Sequence, residues 1–197
     1  MESKKILKAL VVLLVSGSIP MSVSAQFDEG DNVLGLGVGL LGGYGVGWSG
    51  SGASQSPALN VHFDHGMGDL GPGTWGLGGY AGYKTSSYKA AYFNFYNVDY
   101  HYTYLVIGAR GTWHYNEWHD DKWDTYGGVM LAYRAMSFQN NTDYGPYGYL
   151  NTYSYDDSGL ALSIFVGARY YFSDKFAAYS ELGYGLTTLQ VGVSMKL

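Results

Sequence analysis

The side chains able to do chemistry in this sequence are few and far apart. Lys84, Arg110, Arg134, Arg169 and Lys196 are scattered along the chain, and Asp64, Glu181, His62 and His114 fall among them. Cations and carboxylates spaced like this act only if a fold brings them together, where a low-dielectric setting forces them to pair. Glu181 is expected to pair with Arg169 or Arg134. The five histidines are His62, His65, His101, His114 and His119. His62, Asp64 and His65 lie close in sequence, but in an extended segment His62 and His65 point to opposite sides, which does not suit a shared metal ion. Asp99 and His101 share a side, as an acid–base pair needs. The residues after His101 are Tyr102 and Thr103, however, and no serine nucleophile is evident. Asp99, Asp143, Asp156 and Asp157 lack the D-x-D-x-D-G order of a calcium loop. No catalytic set, metal or cofactor is therefore expected. Tyrosine offers the remaining chemistry. Tyr92, Tyr96 and Tyr100 fall in Ala91–Tyr104, and Tyr144, Tyr147 and Tyr149 in Asp143–Asp157. Tyrosine gives a large contact area at low entropy cost and suits a binding surface.

The elements that must position these groups are read from period-2 alternation, the signature of a strand with two unlike faces. From Leu160 to Phe172 the residues Leu160, Leu162, Ile164, Val166, Ala168, Tyr170 and Phe172 form one face. Ala161, Ser163, Phe165, Gly167, Arg169 and Tyr171 form the other. Leu189–Leu197 repeats the pattern. With Leu34–Leu40, Leu59–Asp64, Trp75–Lys84, Leu105–Tyr115, Gly128–Arg134 and Phe176–Tyr184, the reading gives eight strands. Connections alternate between long (Gly43–Pro57, Thr85–His101, Gln139–Ser158) and tight (Asp69–Thr74, Glu117–Asp124, Ser173–Lys175), and the last hairpin, near Leu186–Thr188, is also short.

One face of each strand is apolar. The other carries glycine, small polar residues and the isolated charges above. A water-facing surface would be rich in Lys and Glu, yet only 14% of the chain is charged, and it contains 30 Gly and 21 Tyr. The economical reading places the apolar face against lipid. The glycine-rich face then lines an interior which eight strands leave just wide enough for side chains. Trp75, Trp113, Tyr115, Tyr133, Tyr170, Phe172 and Phe176 fall near strand ends or on the outward set, as membrane-interface aromatics do.

The first 25 residues differ from the rest. Lys4, Lys5 and Lys8 precede the apolar run Ala9–Val15, followed by Val23-Ser24-Ala25. This is the pattern of a cleaved signal peptide, with 26–197 as the exported domain. Of the 11 Lys+Arg three lie in residues 1–25, and of the 16 Asp+Glu one does; 8 against 15 remain, a net charge of −7. That balance argues against nucleic acid as a partner. With no cysteine, neither a lipid-anchored lipoprotein nor a disulfide framework is expected.

These features together resemble the small OmpA/OmpX-type outer-membrane β-barrels of Gram-negative bacteria, over residues 26–197. The tail LQVGVSMKL resembles the C-terminal signal read by the barrel-assembly machinery, although Leu197 stands where that signal usually has an aromatic residue. The resemblance implies an all-β, eight-stranded antiparallel transmembrane barrel in the outer membrane, with short periplasmic turns and longer extracellular loops. Outer-membrane lipids and lipopolysaccharide would be its partners, and no periplasmic peptidoglycan-binding domain is expected to follow. In such barrels an interior ion pair can act as a plug or gate. The expected role is a non-enzymatic structural or surface-binding one, through the Tyr-rich loops and toward an extracellular ligand or host surface, with the lumen largely closed. The alternatives are a narrow porin-like channel for small solutes and, behind it, a lipid A-modifying enzyme.

Overall fold

The computed structural model describes residues 26–41, 53–92, 96–117, 122–142 and 151–197. The expected signal segment 1–25 lies outside the described residues, as do His119, Asp143, Tyr144, Tyr147 and Tyr149.

Among the described residues nine strands follow in order: β1 (Asn32–Leu41), β2 (Ala53–Gln55), β3 (Ala58–Asp69), β4 (Gly73–Tyr92), β5 (Tyr96–Tyr115), β6 (Trp123–Thr142), β7 (Asn151–Tyr171), β8 (Phe176–Gly183) and β9 (Leu189–Lys196). Every pairing is antiparallel, and the ring closes because β1 pairs with both β3 and β9. Leu34, for example, lies opposite Phe63 on one side and Met195 on the other. Strand β2 pairs with β4 beyond the end of β3, Ala53 opposite Tyr88. Pro57 has no N–H to contribute between β2 and β3. The neighbouring Ser56 compensates: its N–H donates to Thr85 O at 3.0 Å, and its Oγ accepts from Thr85 N at 2.9 Å. Strands β2 and β3 thus make one stave, and the barrel has eight.

Where the ring is closed each strand has a paired neighbour on both sides and the backbone satisfies itself without water, the condition for crossing hydrocarbon with strands. Above Phe165, β7 pairs with β6 alone among the described residues. Exposure follows the alternation. Leu160, Leu162, Ile164 and Val166 of β7 are 78%, 72%, 68% and 59% exposed, and Leu36, Leu59, Leu77, Ile107, Val129, Leu131 and Leu182 also face outward. Trp75, Trp113, Trp123, Tyr170, Phe172 and Phe176 ring one end of this belt. Tyr83, Tyr133 and Tyr184 mark the other. Along β6, ten residues separate Trp123 from Tyr133. At about 3.3 Å per residue and a tilt of about 40° they span roughly 25 Å, the height of a lipid-facing apolar band.

Two expected long connections are mostly strand. Strands β4 and β5 pair without interruption from Gly73↔Tyr115 to Tyr92↔Tyr96, so only 93–95 separate them where Thr85–His101 was read as a loop. Strands β6 and β7 pair up to Thr142↔Asn151, well into the segment Gln139–Ser158. The physical reason is local: tyrosine, threonine and valine favour strands, and cross-strand pairing continues above the membrane where the outward face no longer has to be greasy. On the opposite side of the ring β8 and β9 are only eight residues each. The barrel is therefore lopsided, with a tall wall of β4–β7 beside a low rim.

Arginine in place of Ile164, near the middle of the apolar belt, is expected to lower unfolding free energy in lipid vesicles by about 2–4 kcal/mol, whereas Tyr153→Arg above the belt is expected to change it by less than about 1 kcal/mol. Equal effects in denaturant titrations would contradict the lipid-facing assignment.

Candidate functional site

The alternation that turns leucines outward turns the charges inward. Asp64 on β3, Arg110 and His114 on β5, Asp124 and Tyr126 on β6, Arg169 on β7 and Glu181 on β8 all lie on inner faces and are all buried. The register brings them to nearly one level. Arg169 pairs with Tyr179, and Gly167 with Glu181, so Glu181 sits one step above Arg169. Asp124 lies opposite Arg169.

The result is a continuous ionic network across the lumen. Asp64 Oδ1 lies 3.0 Å from Arg110 Nε, and its Oδ2 accepts from Arg169 Nη2. Arg169 Nη1 donates to Asp124 Oδ2 at 3.0 Å, while Asp124 Oδ1 lies 2.7 Å from His114 Nδ1. Arg110 Nη2 donates to Glu181 Oε1 at 2.7 Å, joined there by the Tyr126 hydroxyl at 2.8 Å, and Gln190 Nε2 donates to Glu181 Oε2. The guanidiniums also stack, that of Arg110 on Phe165 at 4.3 Å and that of Arg169 on Tyr126 at 4.5 Å. Two guanidiniums face three carboxylates, and the His114 ring lies against the carboxylate of Asp124. Isolated, any of these charges would be prohibitively expensive to bury; paired and hydrogen-bonded, they hold one another.

Inner-face glycines make room for this. The Tyr126 ring lies over Gly167, where a Cβ would come within 2.6 Å of the ring, and His62 lies against Gly35 in the same way. Above the network is an apolar layer of Tyr80, Tyr104, Val106, Met130, Phe165 and Leu186. Leu186 comes from the β8–β9 turn and is buried. A small, partly open recess is lined by residues of both layers, among them Glu181, Ser163, Gln190 and Leu186.

The sequence-predicted lumen residues divide into two groups. Asp64, Arg110, Arg169 and Glu181 meet. The expected partner of Glu181, Arg169 or Arg134, is corrected: Glu181 binds Arg110. The cause is height along the strands, since Arg134 lies far up β6, opposite Gly159, and pairs with Asp157 at 2.8 Å near the outer rim. Lys196 lies at the periplasmic end and pairs with Asp31 at 2.7 Å. Lys84 is buried on the inner face of β4 near Gln55 and Thr187. His62 is buried beside Tyr179, ring centroids 4.8 Å apart, and neither of its nitrogens has a hydrogen-bond partner among the described residues.

Three participants escape the sequence reading: Asp124, Tyr126 and Phe27. The sequence places Asp124 in a turn and starts the strand at Gly128, but β6 begins at Trp123, and an even count back from Arg134 puts both Asp124 and Tyr126 on the inner face. Phe27 precedes the first strand and is only 1% exposed. Its ring stacks on His114 with centroids 3.9 Å apart, covering the network at the end of the barrel where β1 begins. No alternation exists there to signal it.

The tall wall carries a second cluster. Phe138 on the inner face of β6 contacts Tyr100 and Tyr102 of β5 (5.6 and 4.8 Å between centroids) and Tyr153 and Tyr155 of β7 (5.8 and 5.0 Å). Tyr88 stacks on Tyr100 at 6.3 Å. Burial and the neighbouring phenols raise the Tyr102 hydroxyl above its ordinary value. Of the expected tyrosines, Tyr100 is in this cluster. Tyr92 and Tyr96 face each other across the end of the β4–β5 pairing, where only their backbones are described. On the outer side of the wall Asp99 pairs with Lys89 at 3.2 Å and with His101 at 2.9 Å.

The sequence matches no protein-family model and no curated protein. Solved structures do match. OprG, an outer membrane protein of Pseudomonas aeruginosa, aligns with TM-score 0.56 and 11% identity over 89% of this chain and 99% of its own. The N-terminal β-barrel domain of OprF from the same organism aligns with TM-score 0.50 and 12% identity over 87% of this chain and 100% of its own. The chain has the small outer-membrane β-barrel fold. At such identities the likeness establishes architecture, and the lumen network has to be argued from this chain's own residues.

Glu181→Ala would leave Arg110 Nη2 and the Tyr126 hydroxyl without their shared buried acceptor, and a loss of about 3–5 kcal/mol in unfolding free energy is expected. Removing Lys196 from its partly exposed pair with Asp31 should cost no more than about 1 kcal/mol. Denaturant titration of the two folded variants checks the contrast.

Proposed function

We propose that this protein is a non-enzymatic, integral outer-membrane barrel whose lumen is closed and whose work is done by the tall β4–β7 wall as a surface-binding element. The outward apolar belt with an aromatic girdle at each end supports the membrane placement. Three stacked layers support closure: Phe27 below, the ion network in the middle, and the apolar layer with Leu186 above.

The observation that carries the binding role is the wall itself. Strand β4 continues nine residues past Tyr83 to Tyr92. That is on the order of 20 Å above the membrane at ~3.3 Å per residue and ~40° tilt. A barrel needs no such extension to span lipid. Its inner side gathers six aromatic rings, Tyr88, Tyr100, Tyr102, Phe138, Tyr153 and Tyr155, of which Tyr153 and Tyr155 are each 49% exposed. Half-exposed phenols on a rigid sheet present contact area without an ordering cost, the economy seen in protein recognition surfaces. The charges nearby, Arg134 and Asp157, neutralise each other. The surface therefore favours an uncharged or weakly charged ligand, a glycan or a protein patch on a neighbouring cell.

Planar-bilayer recording tests closure: the intact protein is expected to give no discrete conductance steps, and regular steps would favour the narrow-channel reading instead. For binding, cells displaying the intact barrel are expected to adhere to host-matrix or glycan-coated surfaces at least about tenfold better than cells displaying Tyr153→Ala/Tyr155→Ala, each substitution removing a contact worth about 1 kcal/mol or more. Unchanged adhesion by a correctly folded double variant would remove the wall from the function.

A further inference from the structure

The segment ahead of β1 is organised as though it were a ligand of the barrel. Asp28, Glu29, Gly30 and Asp31 form a tight turn: Asp31 N donates to Asp28 O at 3.1 Å, and Gly30 adopts φ +87°, the left-handed conformation that favours glycine. The turn is held against β3 by Gly30 N to Gly66 O and by Gly66 N to Asp31 O, both at 2.9 Å. Gly66 is required there, because a side chain would run into the carbonyl of Asp28. The turn sends Gln26 and Phe27 back into the periplasmic mouth. Asn116 Nδ2 donates to Phe27 O at 3.1 Å and to Thr74 Oγ1 at 2.9 Å. Lys196 Nζ donates to Gln26 O at 3.1 Å. The Phe27 ring then covers His114, with the Arg169 guanidinium 6.0 Å from its centroid.

The anchoring is unequal. One aromatic ring is fully buried. The remaining contacts are backbone and side-chain hydrogen bonds at the periplasmic surface and a partly exposed ion pair between Asp31 and Lys196. Contacts of that kind exchange readily with water. The strands behind them belong to a closed hydrogen-bonded ring, so the segment can leave without disturbing the sheet.

We propose that the periplasmic mouth is a binding site for a short peptide with an aromatic residue followed by an acidic turn, filled in cis by residues 26–31, and that this segment is a reversible stopper whose release exposes the ion network to the periplasm. The inference rests on the closed-lumen reading. It assigns the lower seal to Phe27, and any passage of water or solute through this barrel must include its undocking. A peptide of the same sequence supplied in trans competes with a tethered segment whose effective concentration is in the millimolar range, so it acts only at comparable concentration.

The absence of cysteine makes the test direct. Thr112 lies one inward step above His114, its Oγ1 3.1 Å from His114 Nε2, and is buried. Thr112→Cys in the full exported chain, reconstituted in vesicles and confirmed as folded by heat-modifiable migration, is expected to react slowly with a small cationic thiosulfonate. Adding Phe27→Ala should raise that rate at least tenfold. Millimolar peptide QFDEGD should restore the slow rate in this double variant, and QADEGD should not. Equal rates with and without Phe27→Ala, or no effect of QFDEGD, would overturn the proposal. A single Phe27→Cys, should Thr112→Cys not fold, is expected to label at least tenfold more slowly than Gln26→Cys yet to completion; equal rates would refute docking, and no reaction over hours would refute reversibility. Conductance of the unsubstituted protein separates the two readings. A conducting barrel defeats the closed lumen, whereas a silent barrel with unchanged labelling defeats the stopper alone.

Discussion

The structure depends on one constraint: charges inside a narrow ring of strands, away from water, must satisfy each other. Asp64 touches both arginines, Asp124 bridges Arg169 and His114, and Glu181 takes Arg110, Tyr126 and Gln190. These residues come from six staves of the ring, so the network ties together strands distant in sequence. Arg110 and Glu181 are 71 residues apart and Arg169 and Asp64 are 105 apart. In a soluble domain the hydrophobic core would do this work. Here the apolar side chains are spent on the lipid face, where burial between strands contributes nothing, and polar complementarity across the lumen specifies which strands lie opposite one another. A slip of one residue in register would turn the entire network toward lipid and the leucines into the lumen. The network and the apolar belt therefore enforce the same register from two sides.

The glycines belong to the same logic. Stripping the inner face of β-carbons at Gly35 and Gly167 lets His62 and Tyr126 lie flat against the wall opposite the charges. Without these recesses, eight staves would leave too little cross-section for two guanidiniums, their carboxylates and the rings stacked on them. The high glycine content is thus a packing solution: glycines stand where the largest inner side chains lie against the wall.

Much of this was legible in the residues. The switch between Leu162, Ile164 and Val166 on one side and Ser163, Phe165 and Gly167 on the other is an unambiguous period of two, and the structure preserves it. The inward charges Asp64, Arg110, Arg169 and Glu181 were identifiable because charge cannot face hydrocarbon. Their pairing was not, since it depends on how far each residue sits along a tilted strand, which a list of faces does not contain. For that reason Arg134 and Lys196, on the correct face, end at opposite rims. Asp124 was missed because turn-like neighbours drew it into a connection. Phe27 was missed because it lies outside any repeating element. The extra height of β4–β7 was hidden because tyrosine-rich segments read equally as loops or as strands once the greasy alternation stops.

That last ambiguity is itself physical. Within the bilayer a strand must keep one face apolar, so its pattern is imposed by the solvent. Above the rim the restriction lapses, and the same backbone pairing continues with whatever side chains the outer surface requires. In β4–β7 those are rings facing the inside of a half-open wall, and in β8–β9 the chain instead turns early and drops Leu186 into the mouth. The two choices are complementary. The low rim places Leu186 over the ion network, and the tall wall opposite carries rings packed on one another, with Tyr153 and Tyr155 half-exposed. Because these rings lie on the part of β4–β7 above the ion network, the wall's side chains can change without touching the charges on which the ring depends.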